Sequence, residues 1–263
     1  MTTKPEETKP EQENKNTQEP QKSPNSTYNT VPIAIAIVAA GALIGGAIFL
    51  SANFNKSNNQ GNQLGTTTQT AEQAAAQQAE LAKKSAEVTE TDHIRGSADA
   101  KIFLVEYSDL DCPYCSQAHE TLKQIVVQYN GEVAWVYRHF PLTSLHPYAE
   151  TKAQASECVA ELGGNNAFWN FVDAYFPVQD PRAGVEAAVS VASAQGINVN
   201  QLNTCITSDK HKNKVQEQFD NAVESGGRGT PYVVITDGEN FVPVEGARAA
   251  SVFTSHIDEM LGN

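Results

Sequence analysis

A chain of 263 residues has room for one or two domains. Its net charge of −13 excludes the clustered Lys and Arg that a nucleic-acid partner requires. Four cysteines permit two disulfides but are far too few for a disulfide-built scaffold.

Residues 1–30 carry Lys, Glu, Gln, Asn, Pro and Thr, with Tyr28 the only aromatic, and read as a disordered tail that cannot form a core. "VPIAIAIVAAGALIGGAIFL" (31–50) has no charged residue. About 20 apolar residues cross the hydrocarbon core as a helix, so this stretch is read as a transmembrane anchor. A cleaved signal peptide is the competing reading, but signal h-regions begin near the N-terminus, and here a long polar tail comes first. Gly41 and Gly45 form a small-xxx-small pair, which is common in membrane spans generally. Lys15 and Lys22 precede the run and Lys56 follows it, a faint bias toward a cytoplasmic N-terminus and an extracytoplasmic C-terminal domain.

Residues 51–70 are rich in Asn, Gln, Gly and Thr and read as a flexible linker. A helix over 70–88 follows, with high propensity but a feeble apolar stripe, which predicts a solvated stalk within a linker running to residue 90. From residue 91 the pattern turns globular. "KIFLVEYS" (101–108) predicts a strand; Cys112-Pro113 opens a helix to about Gln128; "EVAWVYRHF" (132–140) predicts a second strand. A helical block follows over about 145–226. Its helices start at Pro147, run through the aromatic-rich 165–176, and continue from an Asp180 N-cap, over 198–208, and from an Asp209 cap to Gly226. "YVVITDG" and "NFVPVEG" form a predicted hairpin, and a helix closes the chain. Without the block the order is βαβ then ββα.

The pair in "DLDCPYC" carries the chemistry. A strand leading into Cys-Pro-x-Cys puts Cys112 at a helix N-terminus, with Pro113 where a missing N–H costs nothing. Free N–H groups and the helix dipole there favour an anion, and the thiolate is the species that attacks disulfides. Cys112 is the expected nucleophile and the more buried Cys115 the resolving thiol. The alternative is a zinc half-site. Structural zinc takes four ligands, usually from two such pairs, and only one CxxC is present, so no metal is assigned.

"DHIRGSADAKIFLVEYSDLDCPYC", with "RHFPL" (138–142), "HPYAE" (146–150) and "GTPYVVI" (229–235), resembles the DsbA-like thiol:disulfide oxidoreductases over residues 91–263. The resemblance implies an α/β thioredoxin fold with an inserted helical domain. It implies that Pro231 is the family's cis-proline facing the CxxC, with backbone exposed at Thr230 for an extended client, against the alternative of an ordinary trans proline. Glu106 matches the family's buried carboxylate, against a solvated strand-end charge. Strand alternation places Leu104, Glu106 and Ser108 on one face and Val105 and Tyr107 on the other. A desolvated Glu106 would have a raised pKa and could move protons for Cys115. Pro113 and Tyr114 fill the dipeptide that tunes the potential. Family members often have cysteines at positions like those of Cys158 and Cys205, which could form a second disulfide; such a bond would contribute about 3–4 kcal/mol, the alternative being two buried free thiols. His119, His139, His146 and His211 are read as packing, capping or surface residues, and "AFWNFVDAYF" as core aromatic, with any exposed members lining a peptide groove.

The expected activity is extracytoplasmic disulfide exchange with unfolded or partly folded cysteine-containing proteins. No cofactor is expected beyond the Cys112–Cys115 disulfide; a membrane redox partner would recycle the pair. The alternatives are a reductase or isomerase of the same fold, and a non-redox chaperone or metal carrier using the CxxC.

Overall fold

The computed structural model of the chain describes residues 70–85 and 87–262. Its centre is a five-stranded sheet. Strands β1 (His93–Arg95), β2 (Ile102–Ser108), β3 (Val133–His139), β4 (Tyr232–Thr236) and β5 (Phe241–Glu245) lie in the order β1-β3-β2-β4-β5. Only β2 and β3 pair in parallel, joined by helix α2 (Pro113–Gln128). β4 lies antiparallel to β2, with Glu106 opposite Val233, and β5 antiparallel to β4. All seven residues of β3 are buried, and the first five, Val133 to Tyr137, form an unbroken run without a charge: helices cover both faces of the sheet. On one face Ile102, Leu104, Trp135 and Tyr137 meet Leu122 and Ile125 of α2 and the insertion's Phe168 and Phe171. On the other, Val105, Tyr107 and Val136 pack with Ala82, Phe140 and Ala222. The alternation read along β2 therefore holds. The three-residue edge strand β1, antiparallel to β3, was not anticipated.

Helix α1 (Ala71–Ala82) starts at a capping box in which the Thr70 side chain accepts from Gln73 N and Gln73 reaches back to Thr70 N. The expected stalk over 70–88 is solvated along most of its helix, as read, but it is not free-standing. The helix is shorter, packs against β5, and buries Ala82 and, in the 3-10 turn Lys83–Ser85, Ser85. Arg138 of β3 holds this segment down. Its guanidinium donates to the carbonyls of Ser85 and Glu87, and its Nε and Nη2 each lie 2.9 Å from an Asp92 oxygen. The tail, the anchor over 31–50 and the linker over 51–69 lie outside the described residues. Among the described residues no helix is long and apolar enough to cross a membrane.

Four helices form the insertion: α3 (Ala149–Tyr175), α4 (Val185–Ala194), α5 (Val199–Thr207) and α6 (Lys212–Glu224). α3 is two helices fused at a kink, where Gly164 adopts φ 79°, a backbone conformation that glycine reaches without a Cβ clash. Two expected caps are displaced. Gly184, not Asp180, is the N-cap of α4, and His211, not Asp209, stands at that position of α6, with Asp209 left-handed at φ 52°. A disulfide joins Cys158 of α3 to Cys205 of α5. Helix α7 (Ala250–Leu261) closes the chain, burying Phe253 and Ile257 against α2 and the sheet.

Candidate active site

β2 ends at Ser108, and Asp109-Leu110-Asp111 turns the chain so that Cys112 becomes the N-cap of α2, with Pro113 in the first turn. Both active-pair cysteines are free thiols: Cys112 is 5% exposed and Cys115 fully buried one turn deeper. The Cys112 pKa is lowered to about 6. The Cys115 side chain is the largest cause, as a donor to the thiolate; burial opposes it; Thr230 and the N–H groups of Cys115 and Tyr114 add further lowering. Burial, the Cys112 contact and the charge of Glu106 push Cys115 well above the usual thiol range. One sulfur is thus ready as an anion and its neighbour holds a proton for it, the asymmetry that attack and resolution require.

The peptide bond between Thr230 and Pro231 is cis, and the Cys112 Sγ donates to the Thr230 carbonyl across 3.5 Å. Thr230 Oγ1 is buried without a partner, which leaves its hydroxyl free to donate to a thiolate. Glu106 lies below, fully buried. Ser108 Oγ donates to one carboxyl oxygen at 2.9 Å and Trp135 Nε1 to the other at 3.0 Å. Burial outweighs both donors, and the negative charge of Cys112 adds to it, so the Glu106 pKa is pushed up to about 8. A carboxyl that is neutral at pH 7 and electrostatically linked to Cys115 can supply or take the proton of that thiol.

The two aspartates before Cys112 fix the loop. Asp109 Oδ1 accepts from Asp111 N at 2.8 Å, and its Oδ2 accepts from Leu142 N at 2.9 Å and lies 2.8 Å from His146 Nδ1. Asp109 N points at Cys115 Sγ across 3.4 Å. Asp111 Oδ1 takes Lys152 Nζ at 2.7 Å and Tyr175 OH at 3.2 Å, and Lys152, like Asp111 fully buried, also donates to the Asp180 carbonyl at 3.0 Å. The insertion therefore grips the active-pair loop directly.

Cys112, Cys115, Pro231, Thr230 and Glu106 are gathered in one place, with Pro113 in the helix's first turn and Tyr114 turned outward, 59% exposed. Cys158 and Cys205 lie in the insertion as a disulfide, bridging α3 and α5. Of the histidines, His119 is buried against Trp135 and Phe176 and bonded to Asp173; His139 and His93 share Glu157 Oε1. Asp109, Asp111, Lys152, Ser108 and Trp135 were missed. Two acids flanking Leu110 just before a CxxC were the one available signal for the aspartates; nothing marked Lys152, which reads as an ordinary helix-surface lysine.

A family model described as thioredoxin matches residues 88–259. The chain belongs to the thioredoxin family. Within it the protein is DsbA-like: it is 26% identical to Pseudomonas aeruginosa DsbA2, with a TM-score of 0.58 over 66% of this chain and 97% of that one. Wolbachia pipientis alpha-DsbA1 shares the fold, with 23% identity and a TM-score of 0.59 over 69% and 96% of the two chains. Among curated proteins, the Na(+)/H(+) antiporter NhaA 3 of Salinispora tropica is 32% identical over 168 residues, 62% of this chain and 25% of its own. The chain spans about a quarter of the length of that relative, so the antiport in its name belongs to a protein of which this thioredoxin-family chain matches a minor part.

Proposed function

We propose that the chain is an extracytoplasmic thiol:disulfide oxidoreductase, tethered by residues 31–50, that exchanges disulfides with unfolded or partly folded cysteine-containing proteins. The observation that carries the reading is Cys112 at the start of α2, its pKa lowered to about 6, with a buried thiol beneath it and the Thr230 carbonyl 3.5 Å away. In the oxidising direction a client thiolate attacks Cys112 Sγ of the Cys112–Cys115 disulfide. Cys115 leaves as a thiolate and takes the proton that neutral Glu106 holds below about pH 8. A second client thiolate then attacks the client sulfur of the mixed disulfide, releasing Cys112 as a thiolate. The client has lost two electrons and the pair has gained them, and a membrane redox partner reoxidises it.

Exposed apolar side chains beside the site suit unfolded clients. Tyr114 lies between the two cysteines, and Leu145 and Tyr148 belong to the loop and helix start next to the backbone pinned by Asp109. Client backbone pairs with the edge offered at Thr230. The Cys158–Cys205 bond fits an oxidising compartment. In a dithiol-oxidation assay Cys112→Ser is expected to abolish exchange and Cys115→Ser to accumulate mixed disulfides; full activity in Cys112→Ser overturns the assignment. The potential of the pair sets the direction: near about −120 mV the protein is an oxidant, near about −270 mV a reductant.

A further inference from the structure

Cys158 and Cys205 are not alone. His211, at the start of α6, places a ring nitrogen with the two sulfurs in a cluster whose ligand atoms all lie within 4.8 Å of one another. Glu161, one turn after Cys158 on α3, brings a fourth donor: its Oε2 is 2.9 Å from His211 Nε2 and 3.9 Å from Cys205 Sγ. We propose that the insertion carries a zinc site made of Cys158, Cys205, His211 and Glu161, closed while the disulfide stands and opened by its reduction.

The donor set suits a tetrahedral centre, and two of its spacings approach one; the two sulfurs, bonded to each other here, must part on reduction to reach theirs. Zinc–sulfur bonds near 2.3 Å and zinc–nitrogen or –oxygen bonds near 2.0–2.2 Å give tetrahedron edges of about 3.7 Å between sulfurs, about 3.5 Å from sulfur to nitrogen or oxygen, and about 3.3 Å between nitrogen and oxygen. The Glu161–His211 and Glu161–Cys205 separations are each within about half an ångström of those edges. Two chelating pairs supply the ligands. Cys158 and Glu161 share one face of α3 at helical spacing, and Cys205 and His211 sit at the two ends of the α5–α6 connection. Backbone that is already ordered need not be gathered by the metal. Lys210 Nζ lies 2.7 Å from the Glu161 carboxylate, which orients that ligand from outside the centre. A cavity of about 410 Å³, lined by Glu161, Thr204, Cys205 and Lys210 among others, gives an ion a way in.

The redox step balances. An external dithiol gives two electrons and two protons to the Cys158–Cys205 bond and becomes a disulfide; zinc then binds both sulfurs as thiolates and releases two protons. A freshly synthesised chain, whose thiols are still free, offers the same site without a reductant. Zinc there would hold the two helices in register and keep both sulfurs from pairing wrongly before oxidation.

The test uses the full chain with Cys112→Ser and Cys115→Ser, so that Cys158 and Cys205 are its only thiols. Co²⁺ is titrated into phosphine-reduced and oxidised samples and then displaced by Zn²⁺. The reduced chain is expected to take one Co²⁺ with a thiolate-to-metal charge-transfer band of two-sulfur intensity, and the oxidised chain none. Adding His211→Ala should weaken binding by at least about 10-fold, the range in which even outer-shell changes act. Absence of the band in the reduced chain, equal uptake by the oxidised chain, or unchanged affinity in His211→Ala each overturns the proposal. The last result would mean that two thiols in a loosened insert bind metal without the site.

Discussion

Cys115 is the largest single cause of the Cys112 shift, and it can be removed in two ways. Alanine deletes the donor to the Cys112 thiolate; serine keeps a hydroxyl in its place. With a pKa of about 6 in place of the ordinary 9.0, Cys112 is about nine-tenths thiolate at pH 7, against about 1% for the unshifted thiol, a ratio of ~90 that caps the effect. Thr230 and the N–H groups of Cys115 and Tyr114 remain in both variants, so the loss is partial. In Cys115→Ala the ionisation midpoint, followed by thiolate ultraviolet absorbance, is expected to rise by at least about one pH unit, with alkylation at pH 7 slowed several-fold. Cys115→Ser should stay within about half a pH unit of the parent. An alanine variant that titrates like the parent, or a serine variant that shifts as far as alanine, refutes the hydrogen-bond account and leaves the helix start as the source. The linkage has a definite sign. A lowered pKa stabilises the reduced fold fully above pH 9, and the contribution is lost as pH falls through 6; at pH 7 it amounts to about 1.4 kcal/mol, or about 30 mV in the potential of the couple.

Glu106 predicts the opposite pH trend. Its pKa is raised from 4.5 to about 8, so it destabilises the fold increasingly as pH rises from 4.5 to 8. Glu106→Gln should therefore raise unfolding stability at pH 7 by up to about 3 kcal/mol, with no gain below pH 4.5, while slowing exchange and removing its inflection near pH 8; equal stability of the two proteins at pH 5 and pH 8 in urea would contradict this. Thr230→Val, which deletes the buried hydroxyl, should raise the Cys112 midpoint less than Cys115→Ala does; a lowered midpoint counts against Thr230 as a donor. Lys152→Met leaves Asp111 as an unpaired buried charge and should cost about 3–5 kcal/mol, most of it recovered when Asp111→Leu is added; additive losses in that double-mutant cycle would show that the pair is not coupled. A fragment starting at residue 90 keeps Arg138 but loses the Ser85 and Glu87 carbonyls and all of α1, and should melt well below one starting at residue 70; matching melting temperatures would make the docked segment dispensable.

The sequence was most legible where local chemistry and periodicity agreed. Cys112-Pro113 after an apolar run fixes a strand, a turn and a helix start by itself, and β2 alternation put Glu106 on the face that meets Cys115. Gly163-Gly164 marked the α3 break correctly. Legibility failed where partners are distant in sequence or elements are short. A three-residue strand such as β1 has no periodicity to detect; its pairing with β3 comes from tertiary context. Asp180-Pro181 looked like a helix start, but α4 begins after Gly184, and the Asp180 carbonyl is taken by Lys152. The segment over 70–88 looked free-standing because its apolar stripe is thin; its docked end is held by buried Ala82 and Ser85 and by Arg138, Tyr107 and Asn221, all distant in sequence. Lys152 and Asp111 are far apart in the chain, and no local pattern distinguishes a buried lysine from a solvated one.

The grip of the insertion on the thioredoxin core bears on any effort to trim this protein to a minimal redox module. Excising the inserted helices would strip Lys152 from Asp111, Asp173 from Arg95 and His119, and Glu157 from His93 and His139. What remained would be a sheet with stranded ionic groups on the very surface newly opened to water, and a catalytic turn without its clamp. A shortened version would need those positions rewritten together, because the helices act as a keystone rather than an ornament.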